Sequence, residues 1–171
     1  MHQLLLLRHA KALRDTPGLP DRDRPLAPRG RRDAAAVRQA MRALGLVPDL
    51  ILVSPAVRTR QTLAALEPWD DTPLVEFLDP LYLADAAALQ AVLADVTETV
   101  RSVLLIGHNP GLHELARRLA GPTQSDAARR LADRYPTSAL VEFAISGPWH
   151  QPGGARLIRF LIPGELAGGR D

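Results

Sequence analysis

The sequence predicts an α/β fold: a three-layer sandwich with a mostly parallel central sheet and helices on both faces. Two observations carry this expectation. Apolar runs such as "LLLL", "LILV" and "VLLI" have no polar face, as strands buried on both sides require. Stretches rich in Ala and Leu, with apolar spacing near 3.6, alternate with them, as helices crossing between parallel strands would. The 171 residues suit one domain, spanning 1–171, with no repeat, low-complexity tract or linker.

The elements follow in chain order. Gln3–Leu7 reads as the first strand and leads into a loop rich in Pro and Asp, "DTPGLPDRDRPLAP" (Asp15–Pro28). Gly30–Leu44 has helical periodicity and is stopped by Gly45. Asp49–Ser54 is a second buried strand, Ala56–Leu66 a second helix, and Pro73–Leu78 a short strand. Asp85–Val96 is a helix with Asp85 as its N-cap. Ser102–Gly107 is a third buried strand, and Pro110–Ala120 a helix ended by Gly121. Ala139–Ile145 and Ala155–Ile162 form a closing pair of strands around the turn "SGPWHQPGG", expected as an antiparallel edge.

Composition excludes several classes of function. Apolar residues make up 46% and charged residues 23%, with a net charge of +2, which is ordinary for a globular protein. Aromatics are only 4% and no basic stripe is interleaved with them, so nucleic acid is not an expected partner. The absence of cysteine removes disulfides, thiolate nucleophiles and Cys-based zinc sites. No HxH or HExxH spacing suggests a metal. The apolar run after Met1 is too short for a signal peptide, and nothing approaches the roughly 18 apolar residues of a membrane span. The expectation is a cytoplasmic monomer with no membrane association.

Three buried strands end in polar residues of one kind. The first ends in Arg8 and His9. The second runs into "SPAVRTRQT", with Arg58 one turn into the following helix. The third ends in "GHNPG", where His108 precedes a helix begun by Asn109 and Pro110. Parallel strands bring their carboxyl tips to one edge, where open α/β sheets bind ligands. Two arginines and two histidines then converge beside helix N-termini, which also attract anions. No carboxylate lies within these motifs. Such a site suits a dianion, most simply a phosphoryl group. His2, His113 and His150 occupy no strand tip and are read as structural.

"LLLLRHAKA", "LVSPAVRTRQTLAAL" and "VLLIGHNPGLHELARRLAG" resemble the three core motifs of the histidine phosphatase superfamily, whose fold is phosphoglycerate-mutase-like. "RHAKA", "RPLAPRG", "LYLA", "GHNPGL" and "YPTSAL" are similar to its short SixA-type branch, the phosphohistidine phosphatases. The likeness runs from Leu4 to Leu140. Most of the superfamily has RHG, whereas this chain carries Ala10 in the glycine position, a change the short branch tolerates.

The resemblance implies that His9 is the nucleophile and forms a phosphohistidine intermediate that water hydrolyses. An imidazole with a pKa near about 6.5 is neutral and nucleophilic at pH 7. Arg8, Arg58 and His108 would ligate the equatorial oxygens, where transition-state charge gathers, with Asn109 as a further donor and no metal or cofactor. Ser54 and Thr59 are expected to brace the second motif. The family's proton-donating carboxylate usually lies between the second and third motifs. Asp79 and Glu76 are the candidates there; Asp79 is preferred as nearer the expected edge, and water is the third option. Lys11 and Arg24 are either steering charges for an acidic partner or solvated.

The substrate is either a phosphohistidine-bearing protein or a small phosphate ester. Members acting on metabolites generally carry long insertions that close over the site, but about fifty residues separate Arg58 from His108 here. The resulting open site favours a phosphate displayed on a protein surface. A small-molecule phosphomonoesterase is the alternative. An inactive phosphate-binding module is disfavoured by the intact Arg8, His9, Arg58 and His108.

Overall fold

The four consecutive leucines of β1 (His2–Arg8) divide alternately between two cores. Side chains alternate across a strand, so a strand at the centre of a three-layer fold needs apolar residues at every position. Leu4 and Leu6 face Leu89 and Leu93 of α3 (Ala86–Ala94), Leu112 and Leu115 of α4 (Gly111–Ala120), and Leu131 of α5 (Asp126–Asp133). Leu5 and Leu7 face Val37 and Met41 of α1 (Pro28–Ala43), with Leu63 and Leu66 of α2 (Val57–Leu66). Each fully buried leucine contributes about 1.5–3 kcal/mol. The computed structural model describes residues 1–14, 16–122 and 124–166. Asp15, the first residue of the loop rich in Pro and Asp, lies outside them, as do Thr123 and 167–171.

The remaining strands are β2 (Leu50–Val53), β3 (Leu74–Phe77), β4 (Ser102–Gly107), β5 (Leu140–Ile145) and β6 (Ala155–Leu161), in the order β3-β2-β4-β1-β5-β6. β3, β2, β4 and β1 run parallel, whereas β5 is antiparallel to β1 and β6 to β5. This is the mostly parallel sheet that the sequence predicts, with the closing pair as its antiparallel margin. In register, Val53 of β2 lies beside Ile106 of β4, which lies beside Leu7 of β1. The chain leaves β1 for helices on one face and β4 for helices on the other. The crevice for a ligand therefore opens between neighbouring strand tips.

Two local features differ from the sequence reading. β3 is the sheet edge and all four of its residues are exposed, although its apolar pattern alone would suit a core strand. Helix α5 occupies a stretch the sequence reading leaves unassigned. Ser125 caps it by accepting from the Ala128 N–H, and Ala128 and Leu131 are buried with Ala127 packed beside them. Its apolar positions follow the helical period, but over eight residues and mostly as alanine they are a weak signal beside the longer helices. A four-residue helix, α6 (Pro163–Leu166), closes the described chain.

Candidate active site

Each cationic residue comes to the site from its own strand. Arg8 is the last residue of β1, and the following His9 N–H donates to the Gly107 carbonyl of β4 at 3.1 Å. Arg58 lies in the first turn of α2, five residues after the end of β2. His108 directly follows β4. The rings of His9 and His108 stand with centroids 5.3 Å apart, and an Arg58 nitrogen lies 3.4 Å from His108 Nδ1.

Hydrogen bonding fixes the tautomer of each histidine. The Ala10 carbonyl can only accept, so His9 Nδ1, 2.7 Å from it, carries the proton and Nε2 keeps its lone pair. The same residue is tied down on its other side, where the Ala10 N–H donates to Thr62 Oγ1 at 2.9 Å. The Ala10 methyl is fully buried beside Leu26 and Ala34, so the side chain that replaces the family's glycine fills a small satellite core. At His108 the guanidinium of Arg58 can only donate, which makes Nδ1 the acceptor. Nε2 then donates to Ser54 Oγ at 2.7 Å. Thr59 braces this wall by donating to the carbonyls of Ser54 and Ala56.

The electrostatics suit an anion that has yet to arrive. Burial, followed by the charges of Arg58 and Arg8, brings His9 down to about 4, against partial opposition from the Ala10 carbonyl. Burial, then His9 and Arg58, brings His108 down to about 3. Both imidazoles are neutral at pH 7 in the ligand-free protein. A dianion placed between them would reverse the sign of the local field and favour protonated His108.

The structure brings together Arg8, His9, Arg58 and His108 but distributes the other expected residues differently. Asn109 Nδ2 donates to the Tyr135 carbonyl at 2.8 Å, the same carbonyl that takes Arg8 Nη1 at 3.0 Å. Its amide thus holds the Arg8 side of the wall. Asp79 opens a short 3-10 turn, is 82% exposed and pairs with Arg22 at 2.9 Å. Glu76 lies on the edge strand opposite Leu52, short of the strand tip. The carboxylate that meets the cluster is Asp21, which the sequence reading passed over as a loop residue. Arg58 donates to its Oδ2 at 3.1 Å and to its carbonyl at 2.8 Å, Arg24 holds Oδ1, and the Tyr82 hydroxyl donates to Oδ2. The loop reaches back because Ala12 bridges Leu26 and the Ala27 N–H donates to the Lys11 carbonyl. Lys11 is exposed, whereas Arg24 is engaged with Asp21 and the Leu13 carbonyl. Among the described residues no group of His, Asp or Glu is arranged to hold a metal, and no helix is long and apolar enough to cross a membrane.

Fold and site together define an α/β protein with two histidines and two arginines gathered on the carboxyl edge of its sheet, an arrangement whose chemistry suits an anion. Comparisons with known proteins give the family. Residues 4–77 match the family model of the histidine phosphatase superfamily (branch 1). An uncharacterized protein of Mycobacterium tuberculosis is 36% identical, over 92% of this chain and 99% of its own. The solved structure of a candidate phosphohistidine phosphatase SixA from Agrobacterium tumefaciens is 33% identical with a TM-score of 0.82, covering 95% of this chain and 98% of that one. The corresponding candidate from Nakamurella multipartitia is 30% identical with a TM-score of 0.81, covering 95% and 96%. This chain belongs to the histidine phosphatase superfamily, in its SixA-type branch.

Proposed function

We propose that this protein dephosphorylates phosphohistidine on proteins through a covalent intermediate on His9. The observation that carries the reading is the bond from His9 Nδ1–H to the Ala10 carbonyl. It leaves Nε2 as a free lone pair beside Arg58 and His108. In the first step His9 Nε2 bonds to phosphorus as the substrate's P–N bond breaks, and the leaving imidazole nitrogen takes up a proton. In the second, water bonds to phosphorus, the Nε2–P bond breaks, and phosphate leaves as water gives up its proton. Arg8, Arg58 and His108 meet the oxygens in both steps, and two displacements are each easier than one. Asp21, the carboxylate nearest these groups, is the proton donor in this reading, in place of Asp79 and Glu76.

The likeness to SixA phosphohistidine phosphatases supports the substrate class. A carboxylate at the mouth also suits an ester whose alkoxide needs a proton, so a small-molecule phosphomonoesterase is the competing reading. A single-turnover experiment with ³²P-phosphohistidine protein separates them. The wild-type protein is expected to acquire acid-labile label and release phosphate, and His9→Ala to acquire none. Label on His9→Ala, or turnover of alkyl phosphates but not of phosphohistidine, would remove the proposal.

A further inference from the structure

The motif "LYLA", residues 81–84, has no part in the chemistry above, yet it places Tyr82 against both Asp21 and His108. We propose that Tyr82 is a positioning residue for the phosphatase reaction: its hydroxyl keeps the Asp21 carboxylate at the mouth while the incoming phosphoryl group takes Arg58 from it. The inference rests on the reading of the site as a phosphatase centre.

Arg58 donates Nη2 to Asp21 Oδ2 and Nη1 to the Asp21 carbonyl. A phosphoryl group needs those same donors, so substrate and Asp21 compete for one guanidinium. Arg58 is 2% exposed and sits in a helix, whereas Asp21 is 43% exposed in a 3-10 turn, Asp21–Asp23, with no buried residue. In the exchange it is the carboxylate that yields. Arg24 caps the same turn and is tied to the Leu13 carbonyl, so it holds Asp21 from the loop's own side and not from the wall that carries His108.

Tyr82 belongs to a different and firmer frame. Its N–H donates to the Asp79 carbonyl at 3.0 Å and its ring stands edge-on to His108 at 5.5 Å; of its neighbours only Arg22, over the ring at 5.4 Å, belongs to the yielding turn. Gly111 of α4 presses on the same loop, so closely that a Cβ there would lie 1.9 Å from the Ala84 carbonyl oxygen. Tyr82 is therefore in register with the helix that follows His108. It is the partner of Asp21 that stands on the His108 side of the cluster and stays when Arg58 turns to the anion.

The exchange also changes what Asp21 can do. In the ligand-free protein the Tyr82 hydroxyl, Arg24 and Arg58 hold its carboxyl well below the usual carboxylate range, so it has no proton to give. Replacing Arg58 by a neighbouring dianion favours the protonated form twice over. His108 and His9, the other titratable groups of this cluster, are both neutral at pH 7, and the anion favours the protonated form of His108. Loading the site thus converts a structural carboxylate into a proton donor, at the place Tyr82 fixes.

Tyr82→Phe keeps the ring on His108 and deletes only the donor. Carbonyl-carbon NMR of Asp21 gives the first readout. Saturating sulfate raises the Asp21 titration midpoint in the wild-type protein, and Tyr82→Phe raises it further, since a bond favouring the carboxylate is gone. Kinetics give the second. In Tyr82→Phe, kcat for an alkyl phosphate falls about tenfold or more, while an activated aryl phosphate changes by less than about threefold, KM is unchanged, and the alkaline limb of kcat moves to higher pH. In an Asp21→Asn background Tyr82→Phe adds nothing. Equal losses for both esters with an unmoved Asp21 titration would overturn the proposal. The NMR readout needs no turnover. Failure of the wild-type protein to hydrolyse phosphohistidine would therefore count against the substrate reading and leave the Tyr82 result standing.

Discussion

Lowering the pH from 7 to 5 is expected to destabilise the ligand-free protein through two residues of its own active site. An unfolded histidine titrates near about 6.5. In the native protein burial and neighbouring positive charge bring His9 down to about 4 and His108 down to about 3. Below the unfolded value the unfolded chain takes up protons that the native chain refuses, so stability falls as pH falls. The loss begins near pH 6.5 and ends only at the two native values. At pH 5 the unfolded imidazoles are about 1.5 units past their midpoint, which at about 1.36 kcal/mol per unit is roughly 2 kcal/mol each. Up to about 4 kcal/mol is large against a typical total of about 5–15 kcal/mol. Urea unfolding at pH 7, 6 and 5 measures it. His9→Gln and His108→Gln should each remove about half of the pH dependence and the double variant nearly all. Millimolar sulfate, at ionic strength matched with chloride, should flatten the wild-type curve, because a dianion between the rings favours the protonated form. If the double variant keeps the wild-type slope, the histidines are not held neutral by their surroundings and the electrostatic account of the site is wrong.

Two further outcomes follow from the geometry. Asp21→Asn should reduce turnover of an alkyl phosphate by about 10²-fold or more and that of a phosphohistidine peptide much less, because imidazole leaves with less help; Asp79→Asn should stay within about twofold on both, and the reverse ranking would restore Asp79 as the acid. Gly111→Ala should lower stability by about 2–4 kcal/mol, since its Cβ would meet backbone rather than a flexible side chain, and a thermal midpoint equal to wild type would show that the contact between α4 and the Tyr82 loop is looser than described.

The parts of the fold legible in the sequence are those where one position has one possible environment. A leucine run that must serve two cores at once has no reading other than a central strand, and the three such strands lie side by side in register at Leu7, Ile106 and Val53. β3 has a similar apolar pattern but lies at the edge, because its placement depends on which neighbour is available rather than on its own residues. Helix α5 was illegible for the opposite reason. It is only eight residues long, its apolar face is alanine but for Leu131, and a single Ser-x-x-Ala spacing is common in loops, so neither period nor cap stands out.

The site divides along the same line. Arg8, His9, Arg58 and His108 sit at or just beyond ends of regular elements, so element order alone assembles them. Asp21 sits in a loop, and its position depends on the Ala12–Leu26 bridge and on Tyr82, neither of which leaves a periodic trace. Asp79, the carboxylate favoured between the second and third motifs, lies near the same edge by chain position, but its side chain turns to solvent and Arg22. Charge balance does point to a carboxylate in the loop. Two guanidiniums buried beside two neutral imidazoles are costly without negative charge nearby. When no carboxylate occurs in the strand-tip motifs, a loop must supply one in the absence of phosphate. That loop has to be short enough to return to the sheet edge and exposed enough to withdraw from it. The loop after β1 answers both conditions, because the backbone bridge closing it sets Asp21 beside Arg58 while leaving the turn itself in solvent.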